Sequence, residues 1–536
     1  MADTYQPPFE RCVEEGGASG IMCSYNQVNG VPTCADHHLL TATARKYWNF
    51  NGYITSDCDA VSIIHEAQNY AKSPEDAVAD VLSAGMDVNC GSYLRKHTKS
   101  AVEQKKVPIA HIDRALRNLF AVRMRLGLFD GNPTNLPYGQ IGSDQVCSQQ
   151  HQSLALQAAR DGIVLLKNAA KLLPLSKSKT RSLAVIGHNA DDPIVLRGNY
   201  AGTPCKSVTP LQGLKRYVKN TIYHRGCNWA NCTEATIDQA VNIARKVDYV
   251  VLVLGLDQTQ EREDFDRVQL GLPGKQDELI AAVAKAAKRP VVLVILSGGP
   301  VDISAAKYNG KIGSILWAGY PGQDGGTALA EIIFGDHNPG GRLPVTWYPR
   351  DFVKVPMTDM RMRADPSTGY PGRTYRFYNG PKVYEFGYGL SYSNYLYEFT
   401  LLTESKMYLS HPTAATRPAK NSDSVRCLLA SNLDTKFCES KAAKVTVGVR
   451  NEGEMAGKHT ILLFAKPAKP VNGSPVKLLV GFKKVEIKSG ERTDVEFLVN
   501  PCEHLSKANE EGLKVIQEGS YSLVVGDVEH PLDIFV

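Results

Sequence analysis

The sequence predicts a multidomain α/β protein whose C-terminal part is an all-β sandwich. Three observations support this fold class. The chain of 536 residues is too long for one hydrophobic core, strand and helix patterns alternate as far as about residue 390, and strands with a period of two follow. From these patterns we expect a first domain at 1–130, a linker rich in Gly, Asn and Pro at 131–150, a second domain at 151–390 and a third at 391–536.

The first region contains three predicted strands, each followed by a helix. The stretch "ASGIMCSYN" is typical of a buried strand, "GYITSD" of a second and "MDVNC" of a short third strand. Asp36 caps the first predicted helix, Ser73 and Pro74 begin the second, and the third runs from Ile109 to near Gly127. This alternation predicts parallel β/α units with right-handed crossovers.

The second region has continuous rather than alternating apolar strands, which indicates strands covered on both faces. These strands are "GIVLLKN", "SLAVIGH", "DYVVLVLG", "PVVLVILSGG" and "GSILWAGY", and Ala-rich helices such as residues 275–288 lie between them. We therefore predict a doubly wound α/β sandwich. From about residue 391 the pattern changes to alternating strands without helices, "AKVTVGVRNEG", "HTILLFAKP", "TDVEFLVN" and "GSYSLVVGD", which predicts an all-β sandwich.

Composition and charge argue against two classes of partner. The chain has 61 Lys and Arg against 55 Asp and Glu, a net charge of +6, and no basic block of the kind that binds nucleic acid. No run reaches the roughly 18 apolar residues that span a bilayer, and the first residues lack the features of a signal peptide. We expect no nucleic-acid or membrane partner, no metal and no cofactor, and the sequence gives no indication of an oligomeric state.

Cysteines and glycosylation acceptor sites favour a secreted protein. The twelve cysteines are dispersed and contain no C-x-x-C pair, which is more typical of disulfides than of a zinc site. Asn231-Cys232-Thr233 and Asn472-Gly473-Ser474 both match the glycosylation acceptor pattern. Reduced, buried cysteines in a cytosolic protein are the alternative interpretation.

An aspartate stands where the strand "GYITSD" ends. In parallel β/α folds, ligands bind beyond the carboxyl ends of the strands, and Asp57 occupies that position. The structural alternative is that Ser56, Asp57 or Asp59 caps the following helix. From the residues alone, either interpretation holds.

A second carboxylate cluster follows the strand "DYVVLVLG". Its acidic residues are Asp257, Glu261, Glu263, Asp264 and Asp266. The alternative here is a solvated acidic loop paired with Arg262 and Arg267. Two strand ends that carry acids would suit glycoside hydrolysis, because that reaction needs one ionised carboxylate and one protonated carboxyl group on either side of a sugar.

Five motifs, in this order, resemble glycoside hydrolase family 3, specifically its plant β-xylosidase branch. They are "IMCSYNQVNGVPTCAD", "GYITSDCDAV", "GIVLLKN", "WAGYPGQDGG" and "GDHNPGGRLPVTWYP". The resemblance runs from about residue 5 to the C-terminus. It implies the C-terminal part of a (β/α)8 barrel, an α/β sandwich and a fibronectin type III-like domain. It also implies an extracellular, cell-wall enzyme that releases β-D-xylosyl groups, and in some members α-L-arabinofuranosyl groups, from xylan or arabinoxylan oligosaccharides.

The resemblance also assigns roles to single residues. The family's nucleophile matches Asp57, its acid/base matches Glu261 with Glu263 as the fallback, and a tyrosine of the sugar pocket matches Tyr25. The implied mechanism is double displacement with retention, for which the two carboxyl groups should lie about 5 to 5.5 Å apart. The loop "WAGYPGQDGG" would border the sugar cleft, since it lacks the Lys-Ser/Thr of a phosphate-binding loop.

Cysteine follows the proposed nucleophile, where many β-glucosidases of this family have tryptophan. Cys58 and Cys90 end neighbouring predicted strands, so their Cα atoms could lie about 5 Å apart, and we predict a disulfide between them at the substrate-binding site. This bond would crowd the space that a hexose hydroxymethyl group needs and favour pentoses. Two free, buried cysteines are the alternative.

The predicted barrel strands are few. A complete barrel has eight β/α units in about 250 residues, whereas the sequence predicts three strands before the linker. The resemblance implies that family members carry roughly five more strands upstream, with a Lys-His pair and an arginine that bind sugar hydroxyls. We therefore expect the chain as written to be inactive or very weak, and a non-catalytic carbohydrate-binding protein is the alternative function.

Overall fold

The computed structural model describes residues 1–409, the backbone of 417–418, and residues 426–470, 473–509 and 511–536. Asn472, one of the two glycosylation acceptors, lies outside the described residues. The chain divides into two compact units, one formed mainly by residues 1–144 and the other by residues 145–509 and 513–536.

The first unit consists of short strands and helices. Its strands are β1 (Gly20–Cys23), β2 (Gln27–Val28), β3 (Val31–Pro32) and β4 (Tyr53–Ser56). Its α-helices are α1 (Pro7–Glu14), α2 (Ala60–Glu66), α3 (Pro74–Ala84), α4 (Tyr93–Glu103) and α5 (Ile109–Arg125), with a π-helical segment at His38–Tyr47.

The strands of the first unit differ from the prediction in two ways. β1 and β4 pair in parallel as expected, but the predicted third strand contributes only a single parallel bridge, between Thr55 and Val88. The predicted burial of the first strand is also wrong, since Met22 is 56% exposed. The reason is that, within the described residues, β1 pairs only with β4 and so forms an edge of the sheet.

The helix α3 begins and ends as its sequence predicts. The Ser73 side chain accepts a hydrogen bond from the Asp76 backbone N–H (3.2 Å), and Pro74 occupies the first turn, where its missing N–H costs nothing. Gly85 ends the helix in the left-handed region at φ 117°. Val81 of this helix and Ile54 of β4 are fully buried in the core of the unit.

The second unit begins with an α/β sandwich. Its strands are β5 (Val164–Asn168), β6 (Leu183–Ile186), β7 (Thr221–His224), β8 (Tyr249–Gly255), β9 (Val291–Leu296) and β10 (Ile312–Gly319). Its α-helices are α6 (Gln149–Gly162), α7 (Pro210–Tyr217), α8 (Ile237–Ala244), α9 (Gln276–Ala286), α10 (Ser304–Tyr308), α11 (Gly325–Ile333) and α12 (Thr374–Phe377). The strand order is β5-β10-β9-β8-β6-β7, and only β5 runs antiparallel to its neighbour.

Both faces of this sheet are covered, as the continuous apolar strands predict. Successive residues of β8 belong to opposite cores: Leu252 and Leu254 pack in one, Val251 and Val253 in the other. The sequence did not predict β7, because this edge strand is half exposed and lacks an apolar run. The five strands other than β5 run parallel to one another, so their carboxyl ends lie along one edge of the sheet, where ligands bind in folds of this kind.

The rest of the second unit is rich in antiparallel strands. They are β11 (Tyr395–Leu402), β12 (Lys406–Tyr408), β13 (Arg417–Pro418), β14 (Arg426–Leu429), β15 (Ala443–Asn451), β16 (Gly457–Pro467), β17 (Leu478–Ile487), β18 (Arg492–Val499), β19 (Ser506–Ala508), β20 (Lys514–Gln517), β21 (Gly519–Val525) and β22 (Val528–Phe535). They form sheets in the orders β11-β15-β18, β12-β22-β21-β16-β17 and β13-β14-β20-β19.

The prediction that this region has no helices is wrong. Two short helices occur, α13 (Thr435–Ser440) and α14 (Pro501–His504). Each begins at a side-chain cap that overrides the surrounding strand pattern: Asp434 accepts from the Phe437 N–H, and Asn500 from the Cys502 N–H. A disulfide between Cys438 and Cys502 joins the two helices.

Ten cysteines form disulfides in the described structure. The pairs are Cys23–Cys34, Cys58–Cys90, Cys147–Cys205, Cys227–Cys232 and Cys438–Cys502. The prediction of disulfides is confirmed for these five pairs, and the alternative of reduced cysteines is wrong for them. Among the helices that the structure describes, none has the length and apolar character that crossing a bilayer demands.

Candidate active site

Asp57 lies immediately beyond the carboxyl end of β4. Its backbone N–H donates to the Cys23 carbonyl of β1 (2.8 Å), and its Oδ1 accepts from the Cys58 N–H (2.7 Å). In the described chain no side chain caps the following helix α2, which starts from Asp59 in the left-handed region at φ 62°. The helix-cap interpretation of this strand end is therefore wrong, and the Asp57 carboxylate is left available for another role.

The segment around Asp57 is attached to the segment that ends at Cys90. The buried Ser56 hydroxyl accepts from the Cys90 N–H (3.0 Å) and from the Asn89 side chain (3.1 Å). The Asp59 N–H donates to the Cys90 carbonyl (2.9 Å). The disulfide predicted between Cys58 and Cys90 is formed, with a Cα–Cα distance of 4.4 Å. Four links therefore hold the residues on either side of Asp57 against the neighbouring segment.

Tyr25 lies at the same strand end as Asp57. Its phenol donates to the Cys58 carbonyl (2.8 Å), and its own carbonyl accepts from the Gln68 side chain (2.6 Å). The ring remains 38% exposed. The structure thus brings together four of the predicted site residues in the first unit: Tyr25, Asp57, Cys58 and Cys90.

A buried carboxylate behind β4 was missed by sequence reasoning. The Asp87 carboxylate accepts from the Ile54 backbone N–H (2.9 Å) and from the Asn118 side chain (2.9 Å), and it forms an ion pair with Arg45. Burial raises the pKa of Asp87, while the Ile54 N–H and the charge of Arg45 act to lower it. These contacts fix β4 three residues before Asp57. Asp87 gave no signal in the sequence because its partners come from distant helices.

In the second unit, Glu261 follows β8 on a tight turn. The Asp257 carboxylate accepts from the Thr259 N–H (2.9 Å), as aspartates do at the start of turns, and the Asp257 carbonyl accepts from the Glu261 N–H (3.1 Å). The D-x-T-x-E motif is therefore a structural unit in which Asp257 organises the turn and Glu261 is presented at its end.

Three donors surround the Glu261 carboxylate. Its Oε1 accepts from the Tyr320 phenol (2.6 Å) and from the Gly298 N–H (2.6 Å), and its Oε2 lies 3.4 Å from the Arg267 guanidinium. The Glu261 side chain is 17% exposed. Arg267 is itself fixed by a hydrogen bond to the Pro300 carbonyl (3.0 Å). Burial, followed by the hydrogen bond to Glu261, raises the pKa of the Tyr320 phenol, so this phenol stays protonated and donates.

These groups meet because they follow three adjacent parallel strands. Glu261 follows β8, Gly298 follows β9 and Tyr320 follows β10, and the sheet order places β9 between the other two strands. The sequence predicts Arg267 only as an ion-pair partner and Tyr320 only as part of the loop "WAGYPGQDGG". Their convergence on Glu261 depends on strand order, which a single sequence does not reveal.

The fallback residue Glu263 has a different environment. It is exposed, and among the described residues no hydrogen bond or ion pair engages its carboxylate. The neighbouring Arg262 donates instead to the Gln258 carbonyl (3.0 Å). The solvated-loop interpretation therefore fits Glu263. For Glu261 its predicted pairing with Arg267 is present, but the carboxylate is only 17% exposed and so is not solvated as expected. Within the described residues, no three His, Cys, Asp or Glu side chains form a group that could hold a metal ion.

Three family models match the chain. The glycosyl hydrolase family 3 N-terminal domain model matches residues 1–122, and the glycosyl hydrolase family 3 C-terminal domain model matches residues 163–392. A fibronectin type III-like domain model matches residues 459–528. The matches occur in the order in which the sequence predicts the α/β and all-β regions.

Two plant proteins resemble the chain over its full length. "Probable beta-D-xylosidase 7" of Arabidopsis thaliana is 64% identical over 538 residues, an alignment that covers 100% of this chain and 69% of the relative. "Beta-xylosidase/alpha-L-arabinofuranosidase 1" of Medicago sativa subsp. varia is 47% identical over 537 residues, with 100% of this chain and 68% of the relative covered.

Solved structures resemble the chain as well. A GH3 exo-β-xylosidase in complex with a xylobiose aziridine activity-based probe superposes with a TM-score of 0.90 at 32% identity, covering 100% of this chain and 68% of that one. A β-glucosidase from Erythrobacter marinus gives a TM-score of 0.82 at 28% identity, covering 100% of this chain and 70% of that one.

Proposed function

This chain belongs to glycoside hydrolase family 3 and is a glycosidase of that fold, and from this premise we propose a specific reaction. The proposed enzyme is a retaining, exo-acting hydrolase. It releases β-D-xylosyl groups, and also α-L-arabinofuranosyl groups, from oligosaccharides of xylan or arabinoxylan. The names of its plant relatives support this choice of substrate.

One observation carries the proposal at the level of chemistry. Asp57 and Glu261 each stand just beyond the carboxyl end of a parallel strand, and the Glu261 carboxylate is contacted by a phenol, a backbone N–H and a guanidinium. In the described chain the Asp57 side chain does not cap the following helix α2. A retaining glycosidase needs two carboxyl groups with different tasks, and these two have different environments.

The proposed mechanism is double displacement. The Asp57 carboxylate attacks the anomeric carbon while the protonated Glu261 gives its proton to the leaving oxygen, so that a glycosyl ester of Asp57 forms and the glycosidic bond breaks. Glu261 is then ionised, and the Tyr320 phenol, the Gly298 N–H and the Arg267 guanidinium stabilise its charge. In the second step Glu261 takes a proton from water, whose oxygen displaces Asp57.

The disulfide beside Asp57 supports a preference for pentoses. We expect the Cys58–Cys90 disulfide to crowd the space that a hexose hydroxymethyl group needs, and the Tyr25 hydrogen bond to the Cys58 carbonyl holds this segment in place. Excluding one such group is worth only about 1 to 3 kcal/mol, so weak activity on glucosides should remain.

We also propose that the protein acts outside the cell, in the cell wall, and carries glycans at its acceptor sites. Five disulfides support this location, since disulfides form and persist in oxidising compartments. Its partner would be the oligosaccharide substrate.

Kinetics with aryl β-xylosides tests the proposal. NMR of the first product should show the β anomer of xylose, and the Glu261→Ala variant should lose about 10²- to 10⁴-fold in rate on substrates with poor leaving groups and much less on activated ones. Glu263→Ala is the matched control and should behave like the unaltered chain.

The outcomes separate the alternatives. If Glu263→Ala, and not Glu261→Ala, loses rate mainly on substrates with poor leaving groups, Glu263 is the acid/base. An α anomer would contradict retention. Binding of xylo-oligosaccharides without any turnover would favour the non-catalytic carbohydrate-binding function.

A further inference from the structure

A small disulfide-closed loop after β7 carries both an exposed tryptophan and a glycosylation acceptor. The sequence "GCNWANCT" places Trp229 two residues before Asn231, and Cys227 and Cys232 form a disulfide around them. Trp229 is 64% exposed, and Asn231 and Thr233 are exposed as well. Neither the proposed hydrolysis nor the core uses this tryptophan.

The backbone of the loop is a tight turn. The Cys232 N–H donates to the Trp229 carbonyl (3.0 Å), so Trp229 is the first and Asn231 the third residue of a β-turn. Cys232 then adopts the left-handed region at φ 43°, the conformation that follows a type I turn in hairpins with a bulge. An antiparallel bridge between Cys227 and Ala235 completes the hairpin.

The turn is fixed to the end of the sheet. The fully buried Gln276 side chain donates to the Ala230 carbonyl (2.7 Å) and to the Gly255 carbonyl (2.8 Å) at the end of β8. The Lys275 N–H donates to the Cys232 carbonyl (2.9 Å). Because these contacts and the disulfide hold the backbone, the side chains of the turn project from a rigid base.

The two exposed side chains differ in their partners. The Arg225 guanidinium lies 4.8 Å from the centre of the Trp229 ring and covers one part of it, yet most of the indole remains in water. In the part of the chain that the structure describes, no hydrogen bond engages the Asn231 carboxamide. The exposed indole offers an apolar ring face, and the glycosylation acceptor Asn231 stands two residues further along the same turn.

We propose that Asn231 carries an N-linked glycan whose first sugar stacks on the Trp229 ring. Trp229 and Asn231 occupy the first and third positions of the turn and are two residues apart in the sequence. At this spacing an N-acetylglucosamine on Asn231 can place the C–H groups of its ring face against the indole. The stacked sugar removes apolar ring surface from water and stabilises the hairpin. This inference rests on the proposed passage through the secretory pathway.

The modification is a group transfer from a lipid-linked oligosaccharide diphosphate. The Asn231 amide nitrogen forms a bond to the anomeric carbon of the first sugar, the bond from that carbon to the diphosphate oxygen breaks, and the amide proton leaves to a base of the transferase. Thr233 supplies the hydroxyl that the acceptor pattern requires. The lipid diphosphate is the leaving group, and nothing is oxidised or reduced.

The first experiment maps occupancy. The full 536-residue chain is expressed with a secretion leader in a plant or insect cell host, and its peptides are analysed by mass spectrometry before and after peptide-N-glycosidase treatment in ¹⁸O water. The peptide that contains Asn231 should carry a glycan in the majority of molecules and lose it in Asn231→Gln and Thr233→Ala. A secreted chain with unmodified Asn231 would overturn the proposal.

The second experiment tests stacking. Thermal unfolding is compared for the unaltered chain, Asn231→Gln, Trp229→Ala and the double variant, using material whose occupancy has been measured. Loss of the glycan should lower Tm by a few degrees when Trp229 is present and have little effect when it is Ala. Trp229→Tyr is the conservative variant and should keep the glycan-dependent shift. An equal glycan-dependent change in Tm in the chain with Trp229 and in Trp229→Ala would exclude stacking.

Both readouts are independent of catalysis. A glycosylated, stabilised chain that fails to hydrolyse xylosides contradicts the proposed function and leaves this inference standing. An active chain without a glycan on Asn231 contradicts this inference and leaves the proposed function standing.

Discussion

At the scale of single residues, the environment of Glu261 is the most specific feature of the second unit. A phenol, a backbone amide and a guanidinium meet on one carboxylate, whereas Glu263, two residues away, is exposed. The Tyr320 phenol is the one contact of the three that a conservative substitution removes cleanly. Its hydrogen bond to a charged group is worth about 1.5 to 3 kcal/mol.

Removing the Tyr320 hydroxyl should therefore impair the proton transfer that we assign to Glu261. We expect Tyr320→Phe to lower kcat/KM about tenfold or more on xylosides with poor leaving groups, and less on activated aryl xylosides, because only the former need the acid. Tyr308→Phe is the matched control, since Tyr308 is 76% exposed and belongs to α10. Equal losses on both substrate types would show a general structural role for Tyr320 and contradict the positioning role.

At the scale of elements, the end of β4 is held by the segment that precedes α4. Ser56, Asp59 and the Cys58–Cys90 disulfide all connect these two segments, and Asp87 anchors the strand from behind. Sequence patterns predicted β4 and the disulfide, whereas the strand predicted before Cys90 forms only a single bridge. They did not predict Asp87, because its partners Arg45 and Asn118 come from elements far away along the chain.

Opening this disulfide should change both stability and sugar preference. For the double variant Cys58→Ser and Cys90→Ser, whose bond closes a separation of 32 residues, we expect a loss of about 3 kcal/mol in the free energy of unfolding. The ratio of kcat/KM for aryl glucoside to that for aryl xyloside should rise about tenfold, because the space beside Asp57 widens.

The Cys438–Cys502 bond provides the control for that experiment. It joins α13 to α14 in the all-β part of the second unit and involves none of the residues that flank Asp57 or Glu261 in the sequence, so its removal should lower stability while the sugar ratio stays unchanged. A Cys58/Cys90 variant whose sugar ratio also stays unchanged would show that this disulfide has no part in specificity.

At the scale of the whole molecule, the sequence predicts those elements whose marking residues lie next to one another in the chain, and misses features that depend on distant residues. β8, β9 and β10 were predicted because they are continuous apolar runs, and α3 because its cap and proline lie next to it in the sequence. β7 was missed because an exposed edge strand carries no such run, and α13 and α14 because their caps are single residues within a strand pattern. Asp57 and Glu261 could be selected from strand ends and motifs. Tyr320 and Gly298 could not, because only the order of strands brings them to Glu261.

The second unit should lose stability in acid because of a buried histidine. His459 of β16 is 2% exposed, its Nε2 lies 2.6 Å from the Tyr397 hydroxyl, and burial lowers its pKa from 6.5 to about 3. Since the unfolded chain binds a proton on this residue first, its contribution is fully present above about pH 6.5 and is lost as the pH falls toward 3. The slope from this group is at most about 1.4 kcal/mol per pH unit.

Urea unfolding at pH 6.5 and pH 4.5 measures this effect. The free energy of unfolding should fall between the two values, and the fall should be smaller in His459→Gln. His151→Gln, at an exposed position, should keep the full pH dependence. A His459→Gln variant with an unchanged fall would show that other groups cause the acid sensitivity.

The most direct test of the central claim is covalent trapping of the nucleophile. The chain is incubated with 2,4-dinitrophenyl 2-deoxy-2-fluoro-β-xyloside, which forms the glycosyl ester readily but hydrolyses it slowly, and the labelled peptide is sequenced by mass spectrometry. We predict one fluoroxylosyl group on Asp57, absent in Asp57→Asn and retained in Asp59→Asn. A label on any other carboxylate, or a label that persists in Asp57→Asn, would contradict the assignment of Asp57 as the catalytic nucleophile.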